Sequence, residues 1–81
     1  MASHKDSLCL DFGVNLRQLR LDKKMSQEEF ARLVDVHRTY LGGLERGERN
    51  PTLSVIARLS EALNVTPSQL LKGITTGRSA Q

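Results

Sequence analysis

The side chains of this chain best equipped for chemistry are hydrogen-bond donors, and they gather between Ser26 and Asn50. Arg38 can donate two parallel bonds to the O6 and N7 acceptors of a guanine. Thr39 beside it offers a weak hydroxyl bond and a methyl group suited to the methyl of thymine. Tyr40, the only tyrosine, can pack its ring on a neighbouring helix or extend its hydroxyl to a phosphate or base. Covalent and metal chemistry find little here. Cys9 is the single cysteine and has no positioned base near it in sequence. His4, Cys9 and His37 lack the tight spacing of metal ligands. No glycine-rich phosphate loop is present. The expectation is no catalytic residue, no metal and no cofactor.

Such donors discriminate only if rigid elements hold them, and the surrounding pattern supplies those elements. Ser26-Gln27-Glu28-Glu29 is a capping box: the serine hydroxyl accepts from the N–H of residue 29, and Glu29 reaches back to the N–H of Ser26. It opens a short helix to about residue 34 that buries Phe30, Ala31 and Val34. Asp35 falls where the chain must turn sharply, and Asp tolerates left-handed backbone better than most residues, though less well than Gly. The next helix, over about 37–45, turns Leu41 and Leu44 inward and ends before Gly47, a suitable residue just past a helix C-terminus. Two short helices joined by a tight turn can hold one against phosphates while the other enters the major groove. Gly42 and Gly43 inside that second helix cost about 1 kcal/mol each relative to Ala. Close approach to DNA or a tight helix crossing are the two candidate compensations.

Upstream, Phe12, Leu16 and Leu19 share one face of a helix expected over about 11–23, with Asp11 as N-cap and Arg17, Arg20 and Lys24 on other faces. Downstream, Pro51 ends a loop, and Leu53, Ile56, Ala57, Leu59 and Leu63 form an apolar stripe on a fourth helix that stops at Asn64. Thr66-Pro67 starts a fifth, over about 67–72, carrying Leu70 and Leu71. Strand signals are absent. The pattern predicts an all-α, compact five-helix domain over 11–72, flanked by flexible segments at 1–10 and 73–81.

Composition bounds what this domain can be. The 81 residues make one domain, and a chain of this size buries only about 60% of its unfolded surface, so association with a second copy would help it. Twelve basic and nine acidic residues give a net charge of +3 and a pI near 9.5. Arg32, Arg38, Arg46 and Arg49 are interleaved with Glu28, Glu29, Asp35, Glu45 and Glu48, so a nucleic-acid surface must separate the signs geometrically. One cysteine forms no internal disulfide. No apolar run approaches the roughly 18 residues of a membrane span, and the polar N-terminus lacks a secretory apolar core. A cytoplasmic protein without membrane attachment is expected.

With the helices in place, the chain resembles the lambda-repressor-like helix-turn-helix family, also called Cro-type or XRE-type. The resemblance covers about residues 11–72. It rests on Ser26-Gln27-Glu28-Glu29-Phe30-Ala31, on Leu41 followed by Leu44-Glu45-Arg46-Gly47, and on Pro51-Thr52-Leu53 followed by Leu59 and Ala62-Leu63-Asn64-Val65. Within that family, Arg38-Thr39-Tyr40-Leu41-Gly42-Gly43-Leu44-Glu45-Arg46-Gly47-Glu48-Arg49-Asn50 is similar to the controller proteins of restriction–modification systems, which are small dimeric regulators. One departure is Asp35, where the family commonly has Gly. The resemblance implies a sequence-specific transcriptional regulator of double-stranded DNA, a homodimer on a partly palindromic operator with recognition helices about 34 Å apart. It implies base contacts from Arg38, Thr39, Tyr40 and Gly43. It implies phosphate contacts from Gln27, His37, Arg46, Arg49 and Asn50, with Gln27 acting alongside the N–H groups at its helix N-terminus. Glu45 is expected to be structural, paired with an arginine. Leu63, Val65, Leu70 and Leu71 are implied in the dimer contact, and no small-molecule effector is expected. The alternative is an antitoxin or protein-binding adaptor on the same fold. A phage-type repressor and a stand-alone regulator stay open beside the controller reading.

Overall fold

The computed structural model describes residues 7–75, and among them five helices and no strand are found. They are α1 (Ser7–Asp22), α2 (Gln27–Val34), α3 (Arg38–Glu45), α4 (Leu53–Leu63) and α5 (Pro67–Leu70). α1 packs on α3 and α5, α2 on α3 and α4, and α4 on α5. One core fills the centre, built on Leu16, Phe30, Leu41, Leu44, Leu59, Leu63 and Leu70, all fully buried.

The first helix begins four residues before the expected Asp11, so Asp11 is an interior residue and not its N-cap. The buried face of α1 runs Cys9, Phe12, Gly13, Leu16 and Arg20, at spacings of three and four. Cys9 therefore extends the apolar period backwards as a small core residue. Ser7 Oγ donates to Thr75 O at 3.3 Å, and Asn15 Nδ2 donates to Leu70 O at 2.8 Å and Lys72 O at 2.9 Å. These bonds satisfy carbonyls past the short α5, and Ile74 packs against the core. Of the segments expected to be flexible, residues 7–10 are thus helical and 73–75 are bonded or packed. Residues 1–6, with His4, and 76–81 lie outside the described residues. α5 ends at Leu70 rather than near 72. The α4 stripe also differs at its start: Leu53 is 82% exposed and Ala57 is exposed, while Ile56, Leu59 and Leu63 are buried.

Each helix of the α2–α3 pair is closed by a specific device. Asp35 takes φ 65° and ψ 49°, the left-handed region, at the C-cap of α2, and Val36 N donates to Ala31 O at 3.0 Å. From α4, Arg58 Nη2 donates to Val34 O at 2.8 Å and Asp35 O at 3.1 Å, satisfying carbonyls that a helix C-terminus leaves without partners. Gly47, at φ 78°, ends the α3 segment. A Cβ there would come within 2.8 Å of Leu10 Cα, so both backbone and space call for Gly.

Asp35 carries the conformational cost of left-handed backbone, about 1–2 kcal/mol for a non-glycine residue. It also places a carboxylate at the negative end of α2. Asp35→Gly relieves both and loses about 0.5–1 kcal/mol through the freer unfolded chain. The expected outcome is a gain of about 0.5–1 kcal/mol in unfolding free energy, read by chemical denaturation. A loss would mean that the Asp35 side chain stabilises the turn.

Candidate nucleic-acid interface

The interface starts with the way α2 begins. Ser26 Oγ accepts from Glu29 N at 3.0 Å, and Ser26 N donates to Glu29 Oε1 at 2.8 Å. The backbone bond from Ser26 holds the Glu29 carboxyl below the usual glutamate range, helped by the Ser26 hydroxyl and by nearby Arg32. A carboxyl lowered in the folded state contributes stability above its unfolded pKa and loses it as pH falls through the folded value. The cap is therefore fully engaged at neutral pH.

Behind the first turn of α2 lies a buried polar chain. Arg20 Nε donates to Glu45 Oε2 at 2.6 Å, Arg20 Nη2 to Glu45 Oε1 at 3.0 Å, and Arg20 Nη1 to Met25 O at 2.7 Å. The two side chains are 7% and 2% exposed. Gln27 Nε2 adds a bond of 2.9 Å to Glu45 Oε1. One forked guanidinium thus ties α1, the loop at Met25 and the last residue of α3, and Gln27 brings in the start of α2. Glu45 is structural and arginine-paired, as expected. Arg20, expected on a polar face, is instead the terminal member of the buried α1 face, a position four residues past Leu16 that its charge disguised.

The front of α3 is open. His37 is its N-cap, with Nδ1 accepting from Thr39 N at 3.0 Å. Arg38 and Thr39 are exposed, whereas Tyr40 is half-buried and packs against the core. Arg38 Nε lies 3.9 Å from Glu28 Oε2, both side chains well exposed, an ion pair of little energetic weight. His37 and Arg38 line one groove with Glu28, Arg32 and Asp35 beside the turn.

The back of α3 is covered by its own continuation. Gly42 and Gly43 are buried. A Cβ on Gly42 would lie 3.0 Å from Arg46 Nη1 and 3.6 Å from Gln27 Oε1. On Gly43 it would lie 2.9 Å from Arg49 Cγ. Gly43, expected to touch a base, is buried with the Arg49 stem over it. Arg46 Nε also pairs with Glu48 Oε1 at 3.2 Å on the exposed surface. Gln27, Arg46 and Arg49 are brought together around this pair of glycines. Asn50 is exposed but borders a different feature, an apolar hollow of Leu8, Cys9, Phe12, Pro51, Ile56, Leu71 and Ile74.

The tight helix crossing lies elsewhere, at Gly13. A Cβ there would sit 2.4 Å from Glu45 O and 2.6 Å from Leu44 O, so α1 and α3 meet backbone to backbone with no room for a methyl. Nothing in the spacing of Gly13 distinguishes it from a neutral helix glycine. The residues expected in a dimer contact divide sharply. Leu63 and Leu70 have no exposed surface and belong to the subunit's own core, because α4 and α5 pack on each other through them. Val65 is half-buried and Leu71 is 41% exposed. Leu53, whose helical spacing matches the apolar stripe, is the most exposed large apolar side chain among the described residues.

With this geometry in view, the chain can be compared with known proteins. Residues 16–70 match the helix-turn-helix family profile. Control protein C.BamHI of Bacillus amyloliquefaciens is 46% identical over 77 residues, covering 94% of this chain and 95% of that protein. The crystal structure of the restriction-modification controller protein C.AhdI from Aeromonas hydrophila superposes with a TM-score of 0.75 at 45% identity, covering 76% of this chain and 94% of that one. The structure of SinR, a master regulator for biofilm formation, in complex with DNA superposes with a TM-score of 0.72 at 31% identity over 75% of this chain and 98% of the chain in that structure.

The buried pair gives a direct test of how the interface is held. Arg20→Met leaves Glu45 buried without its guanidinium and is expected to cost about 3–5 kcal/mol, whereas Arg20→Met with Glu45→Leu recovers most of that. Denaturation of the two variants checks it. A loss below about 1 kcal/mol for the single variant would contradict a desolvated pair.

Proposed function

Since the chain belongs to the helix-turn-helix family and is a DNA-binding regulator akin to restriction–modification controllers, we propose that it binds a partly palindromic operator as a homodimer and controls a restriction–modification system from the cytoplasm. The carrying observation is the pairing of a capped α2 N-terminus with an open, donor-rich start of α3, both referenced to one buried ion pair. In this reading Arg38 and Thr39 meet base edges, with Tyr40 at the margin. The N–H groups at the start of α2 with Gln27, and the side chains of His37, Arg46, Arg49 and Asn50, meet phosphate oxygens. The second amide hydrogen of Gln27 stays available while the first is held by Glu45.

In this reading a twofold contact through the α5 side draws its surface from Leu71, Val65 and the exposed Leu53, while Leu63 and Leu70 support them from beneath. A twofold contact repeats every charge against its own copy, and these apolar positions avoid that repulsion.

Selection from a pool of random duplex DNA is the primary test. The expected product is a site whose two halves are centred about one helical turn, 34–36 Å, apart. No enrichment at low salt would turn attention to the antitoxin or adaptor reading. Arg38→Ala is expected to relax discrimination at one base position of each half-site, costing about 1–3 kcal/mol. A uniform loss over all sequences would make Arg38 a phosphate ligand. Sedimentation should give a dimer mass at tens of micromolar, reduced to the monomer by Leu71→Asp with Leu53→Asp. A monomer mass for the unaltered chain, with and without DNA, would refute the homodimer.

A further inference from the structure

The two glycines of α3 have no explanation in the packing of the fold. Both sit inside an eight-residue helix, where glycine is the least favourable residue short of proline. The crossing that does require a glycine is at Gly13, where the obstructing atoms are the backbone carbonyls of Leu44 and Glu45. At Gly42 and Gly43 the nearest atoms to an added Cβ are side-chain atoms only: Arg46 and Gln27 at the first, Arg49 at the second. What the missing methyls make room for is the Arg49 stem at Gly43 and the Arg46 guanidinium end at Gly42.

We propose that Gly43, and more weakly Gly42, are positioning residues for DNA binding: they form a seat on which the side chains of Arg49 and Arg46 lie across the back of the recognition helix. This rests on the phosphate role proposed above for the two arginines. An arginine fixed against a phosphate gives up a large amount of rotamer freedom. A stem already laid in a seat has given up part of it before DNA arrives, the usual source of affinity by preorganisation. The two positions differ in force. At Gly42 the contact is with Nη1, the far end of the side chain, at 3.0 Å, and a small swing relieves it. At Gly43 the contact is with Cγ at 2.9 Å, with Nε at 3.4 Å and Cδ at 3.8 Å behind it, so a methyl there displaces the Arg49 side chain from its root.

Helix propensity and DNA affinity therefore move in opposite directions in Gly43→Ala. The variant is expected to melt at or above the temperature of the unaltered protein, because Ala is the better helix residue. It should bind mixed-sequence duplex DNA about 3–10-fold more weakly, because a displaced Arg49 loses most of one phosphate contact. The slope of log affinity against log salt should shrink by up to about 0.9, the value of one phosphate. Mixed-sequence duplex is the right probe, since phosphate contacts are independent of sequence. Gly42→Ala should give the same pattern with a smaller loss. The decisive comparison is a cycle with Arg49→Ala: in that background Gly43→Ala should leave affinity and salt slope unchanged. If it weakens binding equally in both backgrounds, the glycine acts by direct approach to DNA and the seat is overturned. If Arg49→Ala weakens binding but Gly43→Ala does not, the seat is overturned while the phosphate role of Arg49 stands. If Arg49→Ala has no effect on affinity or slope, both fail together. Should Gly43→Ala alone unfold, Gly43→Ala with Arg49→Ala removes the clash and folds if the seat is as described. Unfolding of that pair would show a constraint other than Arg49.

Discussion

The bidentate contact of Arg20 with Glu45 is the constraint to which the other elements are referred. Four short segments must be placed relative to one another: the end of α1, the loop at Met25, the start of α2 and the end of α3. None of them is long enough to be fixed by apolar contact alone. α2 and α3 have eight residues each, too short for stable helices in isolation. Apolar packing is tolerant of small rotations, whereas a forked guanidinium meeting a carboxylate is not. Burying the pair gains little stability over a hydrophobic substitute. Its contribution is geometric: it holds the end of α3 against α1, and Gln27 brings the start of α2 to the same carboxylate.

Around this pair, sterics close the remaining freedom. Gly13 brings α1 against the carbonyls of Leu44 and Glu45, which sets the depth of α3 on α1 while the ion pair sets its rotation. At the other end of α2, Asp35 turns the chain through the left-handed region, and Arg58 of α4 takes up the carbonyls that the turn exposes. The helix-turn-helix is thereby clamped from α1 on one side and from α4 on the other, which is why a two-helix motif needs the three further helices.

What was legible in the sequence follows from which interactions are local. The capping box at Ser26 and Glu29, the turn at Asp35 and the stop at Asn64 depend on neighbours three or four residues away, and they appear where their residues fall. The start of α1 carries no local signal, because Cys9 is apolar only once its packing is known. The charge of Arg20 argues for solvent, and only a partner 25 residues away reverses that argument. Leu53 and Leu63 show the same limit from the other side. They are spaced alike on α4, yet one is 82% exposed and the other has no exposure, because α5 and the core cover only the later turns. Gly42 and Gly43 posed the right question, a helix cost needing compensation. The space at Gly43 holds the stem of Arg49, a residue beyond the end of α3 that helical spacing does not bring there.

The acids of the motif decide whether the modest charge of the chain can serve DNA at all. Glu45 is neutralised by Arg20 in the interior, and Glu29 is engaged at the N-terminus of α2, where its charge is offset by the helix dipole. Asp35 sits in the turn. Glu28 and Glu48 remain outside, paired with Arg38 and Arg46 across exposed contacts of 3.9 and 3.2 Å. Exposed pairs of this kind are worth about 0–1 kcal/mol, while a charge-assisted bond to a phosphate or a bidentate bond to guanine is stronger. In the proposed complex, exchange of carboxylate for DNA is therefore downhill at both arginines. Until then the carboxylates restrain basic side chains that would otherwise repel one another on a small surface. The interleaving of signs that looks unfavourable in the sequence becomes, once Glu45 is withdrawn into the core, a face whose remaining acids are the easiest contacts to give up.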